Sequence, residues 1–445
     1  MDSIRGAGRF EPARSLAVKP GEGKGRRVGF VSTRFAGTDG VTLETWKWVS
    51  VLEEMDFQCF FFSGECELPR ERSMVIPEAH FKHPEIQDLQ ADLFGGSTRT
   101  PYTSETVRRF KERLKSELYR FVLSFKIDLL IVENALSLPM HVPLGLALAE
   151  FIAETNMPAI AHHHDFYWER TRFALNGADD YLQAAFPPAF SALHHVVINS
   201  FAQRQLARRT GVAAMVVPNV MRFDEPPPPP DDVSSSLRAE LGIAPDECLL
   251  LQPTRIVPRK RIEKSFELAR MLDRECVVVV SHSAGDEGLE YQKYLQRMAD
   301  LLGVRVVFAS GRIERERGTD AEGRRVYGLR DAYAGADLVT YPSAVEGFGN
   351  AFLESIYFKC PIFISAYETY ETDIKPKGFR MIEFHEFIED ETLESVRRVL
   401  DDAEWRREIV EHNYELGRMH YSFETLRSHL ASLLGGCVGC SECKC

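Results

Sequence analysis

Glu346 and Glu354 flank a glycine turn in the run Tyr341-Pro-Ser-Ala-Val-Glu-Gly-Phe-Gly-Asn-Ala-Phe-Leu-Glu354. An apolar strand, Asp337 to Tyr341, enters the turn, and a helical pattern, Asn350 to Phe358, leaves it. Such a junction aims backbone N–H groups and the positive end of a helix dipole at one place, where a phosphate or diphosphate is the natural occupant. Gly347 and Gly349 let the main chain approach a ligand and take dihedrals closed to other residues. Phe348, Asn350 and Ala351 complete the turn. Two carboxylates would repel the phosphate itself, so they are expected to hold something neutral and hydroxyl-rich. Sugar and ribose hydroxyls fit, since a carboxylate accepts charge-assisted hydrogen bonds from them. The same residues also read as a plain strand–turn–helix link with two surface acids.

A second cluster is cationic. A strand, Glu247 to Gln252, ends in Pro-Thr-Arg255-Ile-Val-Pro-Arg-Lys260-Arg261, with a helix to Leu272. Cations at a helix N-terminus are disfavoured without an anionic ligand, so the basic run suggests an anion site; a basic turn is the alternative. A third cluster ends the strand Ala159-Ile-Ala-His-His-His-Asp165. Alternate strand residues face opposite sides, so His162 and His164 share a face and His163 points away. Two such histidines alone are a poor metal site, and no metal is expected. A strand-end active-site cluster fits better. Phe166, Tyr167 and Trp168 offer faces for a sugar. Arg170 and Arg172 suit a carboxylate or phosphate on an acceptor, or are simply solvated. Near the start, Arg34-Phe-Ala-Gly-Thr-Asp-Gly40 joins a strand (Arg26 to Thr33) to a helix (Val41 to Glu54), as a second amide cluster or a simple β–α turn. Glu133-Asn134 lie at the carboxyl end of a strand, where open α/β sheets place their sites.

The run Pro-Ser-x-x-Glu346-Gly-Phe-Gly with Glu354 resembles the E-x7-E signature of retaining, nucleotide-sugar-dependent glycosyltransferases of family four. Cys360-Pro-Ile-Phe-Ile-Ser365 resembles the strand that follows that motif, and Val217-Pro-Asn-Val220 the family's linker entry. The resemblance extends from Arg26 to Leu434 and implies the GT-B fold: two Rossmann-like α/β domains facing each other across a cleft, with C-terminal helices crossing back. It implies catalytic roles for Glu346, His164, Arg255 and Lys260. The donor nucleotide sugar would be held by Gly40, Arg255, Lys260, Ile313 (in the Gly311-Arg312-Ile313 loop), Gly347, Phe348, Gly349, Asn350, Ala351 and Glu354. Glu354 takes the ribose and Glu346 the transferred sugar. Arg34, Asp39, Arg170 and Arg172 would face the acceptor, with Gly37 in the first glycine loop. The sequence departs from the family at Val220, Thr254 and Arg261, each standing where a glycine is usual. A metal-independent hexosyltransferase is implied, with GDP-mannose or UDP-glucose as donor and no required cofactor. The run Glu133-Asn-Ala-Leu-Ser-Leu-Pro with His-His-His-Asp-Phe-Tyr-Trp-Glu-Arg170 is similar to enzymes that make glycerate-type compatible solutes, the mannosylglucosyl-phosphoglycerate synthases among them. A small anionic acceptor such as a glycerate glycoside follows. A sugar phosphorylase and a non-catalytic nucleotide-sugar binding protein of the same fold are the alternatives. An oxidoreductase is disfavoured, because Arg34 to Gly40 lacks G-x-G-x-x-G.

The elements that must position these residues need two domains, since 445 residues exceed one typical core. The expected division is an arm over 1–25, an acceptor domain over 26–220, a proline-rich linker over 221–235, a nucleotide-sugar domain over 236–410, crossover helices over 411–434 and a cysteine-rich tail over 435–445. Residues 64–103 read as irregular, 104–126 and 391–418 as helices, and 314–327 as a charged surface hairpin or loop. A net charge of −12 argues against a nucleic-acid partner. The longest apolar stretch, Leu138 to Ala161, is broken by Glu150 and Glu154, so no integral membrane segment is expected. The N-terminus has basic residues without an apolar core, so a cytoplasmic protein is expected. A homo-oligomer is among the expected partners. Cys59, Cys66, Cys248, Cys276 and Cys360 read as reduced thiols. Cys437, Cys440, Cys443 and Cys445 read as a tail that picks up metal or oxidises, outside catalysis.

Overall fold

The computed structural model describes residues 25–439, apart from 38, 286 and 287, with side chains to 435. The N-terminal arm and Cys440, Cys443 and Cys445 lie outside the described residues. The chain forms two compact units: one runs to Pro218 and resumes at Glu424, and the other is Asn219–Phe423. The Pro226 to Pro230 run therefore belongs to the second unit.

The first unit is built on seven parallel strands: β1 (Arg27–Val31), β2 (Gln58–Ser63), β3 (Ser73–Val75), β4 (Leu129–Glu133), β5 (Ala159–His163), β6 (Leu193–Val197) and β7 (Ala214–Val216). Their order is β3-β2-β1-β4-β5-β6-β7. The second unit repeats the plan with β8 (Cys248–Gln252), β9 (Cys276–Val280), β10 (Arg305–Phe308), β14 (Leu338–Tyr341), β15 (Ile362–Ser365) and β16 (Ile382–Phe384), in the order β10-β9-β8-β14-β15-β16. Runs such as Cys-Val-Val-Val-Val in β9 are apolar on both faces because helices cover a parallel sheet on both sides. Phe121, Phe151 and Leu144 pack on the first sheet; Phe266, Leu268 and Val396 pack on the second. In each order the direction reverses once, between β1 and β4 and between β8 and β14. A crevice opens at the carboxyl ends of strands at such a reversal. The loops after β1, β4, β8 and β14 are the ones that carry the Arg34–Gly40, Glu133–Asn134, Arg255–Arg261 and Pro342–Gly349 runs.

Residues 64–103 are more regular than expected. They contain β3 and the helix Pro84–Leu93, which has a proline in its first turn and buries Ile86, Leu89 and Leu93. The i, i+3, i+7 spacing of those three residues was the available signal. Residues 391–418 are two helices, Asp390–Asp401 and Ala403–Tyr421. Asp402 separates them, and its side chain caps the second by accepting from the Glu404 and Trp405 N–H groups. The charged insert forms a three-stranded sheet of β11 (Ile313–Glu314), β12 (Gly318–Thr319) and β13 (Arg325–Gly328), in which β12 and β13 are an antiparallel hairpin.

Candidate active site

In the second unit, the loops after β8 and β14 are joined by a hydrogen bond from the Ala344 N–H to the Arg259 carbonyl, 2.8 Å. This brings Lys260 against Glu346: the ammonium and carboxylate form an ion pair, with the Arg259 guanidinium 3.5 Å from the other carboxylate oxygen. Both members of the pair are buried, with side chains 10% and 8% exposed. Burial alone would raise the Glu346 carboxyl, but Lys260 and Arg259 outweigh it and hold the group below the usual carboxylate range. Lys260 also lies 5.6 Å from the Tyr341 ring centre. Arg255 sits on the same loop, exposed, and His282 follows β9. Burial, and then the charges of Lys260 and Arg255, push the His282 imidazole down to about 4. His282 and Arg259 belong to this cluster and were not expected from the sequence.

The turn after β14 is shaped by one glycine. Gly349 has φ +111°, and a Cβ there would stand 2.6 Å from the Tyr341 hydroxyl, so no other residue fits without displacing that ring. The helix Asn350–Tyr357 starts directly after it with no side-chain cap and no acid in its first turn. Its leading N–H groups therefore have no intrahelical partner. The Phe348 carbonyl accepts from Tyr367 at 3.0 Å and the Glu346 carbonyl from Thr369 at 3.0 Å, which fixes the main chain around Gly347. Asn350 accepts from Asn219 at 2.8 Å. Ala351 is nearly buried at the helix start. Glu354, on the next turn, accepts from the Tyr333 hydroxyl at 2.9 Å. Ile313 is 2% exposed, so its side chain belongs to the core. Arg261 adopts φ +48°, the conformation of the glycine it replaces. Thr254, by contrast, keeps ordinary backbone and accepts from Gln252 at 2.8 Å.

In the first unit, register brings together what the sequence separated. Glu133 of β4 lies opposite His162 of β5. The Glu133 carboxylate meets His162 Nδ1 and His164 Nε2 at 3.0 Å each. His163 points away, as strand alternation requires, and meets His195 at 2.9 Å. The Glu133 and histidine atoms lie within 4.8 Å of one another, a spacing a metal ion would tolerate. Each is already engaged in a carboxylate–imidazole hydrogen bond, which accounts for the arrangement. Asp39 caps the helix Gly40–Glu54 by accepting from the Val41 and Thr42 N–H groups and pairs with Arg34 at 2.8 Å. Gly37 has φ +80° and donates its N–H to Glu67. Arg170 pairs with Asp165. Arg172 contacts Met140 and lies 4.6 Å from the Phe173 ring centre. The four acceptor candidates are thus not one cluster of bare charge: Arg34 and Arg170 each have a local carboxylate.

Residues 233–416 match the family described as glycosyl transferases group 1. The chain is 32% identical over 441 residues to the mannosylglucosylglycerate synthase of Thermotoga maritima, covering 91% of this chain and 99% of that protein. Among solved structures, sucrose-phosphate synthase from Thermosynechococcus elongatus superposes with TM-score 0.65 at 14% identity, over 94% of this chain and 100% of that one. Anabaena HepE, in complex with UDP-glucose, superposes with TM-score 0.62 at 14% identity, over 92% and 99%. At those identities the likeness is one of fold, and with two parallel-sheet α/β units that fold is GT-B. With signature, fold and a full-length relative in agreement, the chain belongs to the group 1 glycosyltransferases.

Proposed function

We propose that this protein is a retaining hexosyltransferase that moves mannose from GDP-mannose to a glycerate glycoside, glucosylglycerate being the acceptor suggested by the name of its Thermotoga relative. The observation that carries the reading is the buried Lys260–Glu346–Arg259 cluster beside the uncapped start of the Asn350–Tyr357 helix. Cations and N–H donors there suit a nucleoside diphosphate, and carboxylates suit hydroxyls. Residues 26–220 are read as the acceptor domain and 236–410 as the nucleotide-sugar domain.

In this reading Arg255, Lys260 and the amides of Gly347 to Ala351 hold the diphosphate and take up charge as it leaves. Glu354 binds the ribose. Glu346, kept ionised by its two cations, binds hydroxyls of the moving sugar, and His164 orients that sugar. The acceptor oxygen bonds to the anomeric carbon on the face from which the phosphate oxygen departs. The acceptor proton passes to the leaving phosphate, so configuration is retained. Two side-chain cations do the neutralising work, and no metal is needed.

The test is product analysis. Glucosylglycerate with GDP-mannose, in the presence of EDTA, should give an α-mannosylated product, with UDP-glucose and ADP-glucose inferior donors. A β-linked product would overturn retention. Sugar 1-phosphate formed with inorganic phosphate would identify a phosphorylase instead, and silence with every donor would end the enzyme assignment.

A further inference from the structure

We propose that Glu133 is a positioning residue that fixes the His164 ring through its Nε2 and keeps it as a two-sided hydrogen-bond donor, with Asn134 locking the main chain beneath it. The inference rests on the reading above that His164 faces the donor sugar.

Glu133 is fully buried at the last position of β4. A carboxylate in that setting must be compensated. His164 Nε2 stands 3.0 Å from one carboxylate oxygen, and His162 Nδ1 reaches the same oxygen at 3.0 Å. The two histidines are not equivalent. His162 is wholly enclosed, and Trp48 stacks on its ring at 4.2 Å. Among the described residues its Nε2 has no partner, which suits a neutral ring that donates from Nδ1 and leaves a bare lone pair behind. Burial keeps the His162 ring below its ordinary pKa. At His164 burial also opposes the proton, but the Glu133 carboxylate prevails and the ring is raised. Glu133 is held down to about 2: burial works against this, and the two imidazoles outweigh it. The other charged groups acting on His164 are Glu44 and Asp165. Glu44 pairs with Lys47 at 2.8 Å, and Asp165 pairs with Arg170. With those acids matched, one imidazolium balances Glu133, and His164 is the one with an exposed margin.

Asn134 completes the device. It sits at φ +58°, a left-handed conformation that asparagine tolerates better than most residues. From there its Oδ1 accepts the His164 N–H at 2.8 Å and its Nδ2 donates to Asp165 at 3.1 Å. Among the described residues His164 Nδ1 has no hydrogen-bond partner. As an imidazolium it offers that N–H to a ligand; as the neutral ring donating to Glu133 it offers a lone pair. The protonation that Glu133 supports therefore decides whether His164 donates or accepts.

The experiment compares the pH–rate profiles of wild type, Glu133→Gln and His164→Ala. The wild type should lose activity on the alkaline side as His164 gives up its proton. Glu133→Gln should move that limb down by more than one pH unit and lower kcat about 100-fold at pH 8, with donor KM changed less than threefold. His164→Ala should remove the limb. A Glu133→Gln profile of unchanged shape, however slow, overturns the inference while leaving the functional reading intact. A near-normal rate for His164→Ala overturns the reading itself. Should Glu133→Gln fail to fold, nitrogen-15 NMR of wild-type His164 decides: both ring nitrogens protonated at pH 7 supports the inference, and a neutral ring defeats it. One equivalent of transition metal retained by the purified protein would also defeat it, by making the three side chains ligands.

Discussion

Glu346 remains ionised at a position that water hardly reaches because Lys260 and Arg259 stand against it. Removing one member of a buried pair strands the other, commonly at about 3–5 kcal/mol. Lys260→Ala should therefore cost stability as well as turnover, cushioned by Arg259 at 3.5 Å. Glu346→Gln keeps the shape but strands the buried Lys260 ammonium, so it should cost stability as well and lower kcat about 100-fold or more. Normal rates in Glu346→Gln would remove the carboxylate from the reaction. Arg261 carries a second residue-scale consequence. Its φ of +48° is a conformation in which a side chain is strained, and glycine would relieve it. Arg261→Gly should leave the loop and GDP affinity intact, despite losing the 3.1 Å contact to Glu386. A tenfold weaker Kd by calorimetry would show instead that the Arg261 charge takes part in binding.

Most loops that carry the candidate residues follow strands at the two topological reversals, β1 with β4 and β8 with β14, while His164 follows β5 and His282 follows β9. Much of that was legible. Apolar runs gave the strands, and the glycine turn before Asn350 gave the helix start. What was not legible is which strands are neighbours. Glu133 and His164 lie thirty-one positions apart, and only the β4–β5 register joins them. Arg259 was hidden for a similar reason, since its contact with Glu346 depends on two loops meeting. The 314–327 insert shows the same limit: its charges read as a solvated face, yet Arg317 is a clasp. Its guanidinium reaches Asp231, which caps the helix Asp232–Glu240, and Asp331, which is fully buried. Ser234 and the Gly328 N–H also donate to Asp331. Arg317→Ala leaves that carboxylate with neutral donors and only the more distant Arg330 guanidinium, 3.8 Å away, and should lower Tm by roughly 5 °C. Asp331→Asn added to Arg317→Ala should restore part of the loss, because the stranded charge is then gone. If the double variant is no more stable than the single one, the clasp is not electrostatic.

At the scale of the molecule the two units differ in how acid should affect them. Burial holds His141 and His195 of the first unit down to about 4 and His163 well below its ordinary value. A buried neutral histidine takes up no proton until pH reaches its folded pKa, whereas the unfolded chain takes one up near 6.5. Stability is thus lost as pH falls below about 6.5, by about 1.4 kcal/mol per pH unit for each such group. The Glu133–His164 pair does not counter this. The contribution of raised His164 is complete below its unfolded value and is lost only as pH rises through the folded one. That of depressed Glu133 is lost only as pH falls below about 4.5 towards 2. In the second unit, among the described residues, burial lowers only His282, to about 4, and His420, which is partly exposed. Between pH 6.5 and 5.5 the first unit should therefore lose about 4 kcal/mol and roughly 10 °C in Tm, and the second only a few degrees. Tryptophan fluorescence separates them, because Trp46, Trp48 and Trp168 lie in the first unit and Trp405 in the second. Fluorescence-detected melting at pH 5.5 should precede the main calorimetric transition of the second unit, and His141→Asn with His195→Asn should narrow the gap. Coincident transitions that shift together across that pH range would mean that the neutral histidines do not govern the acid response.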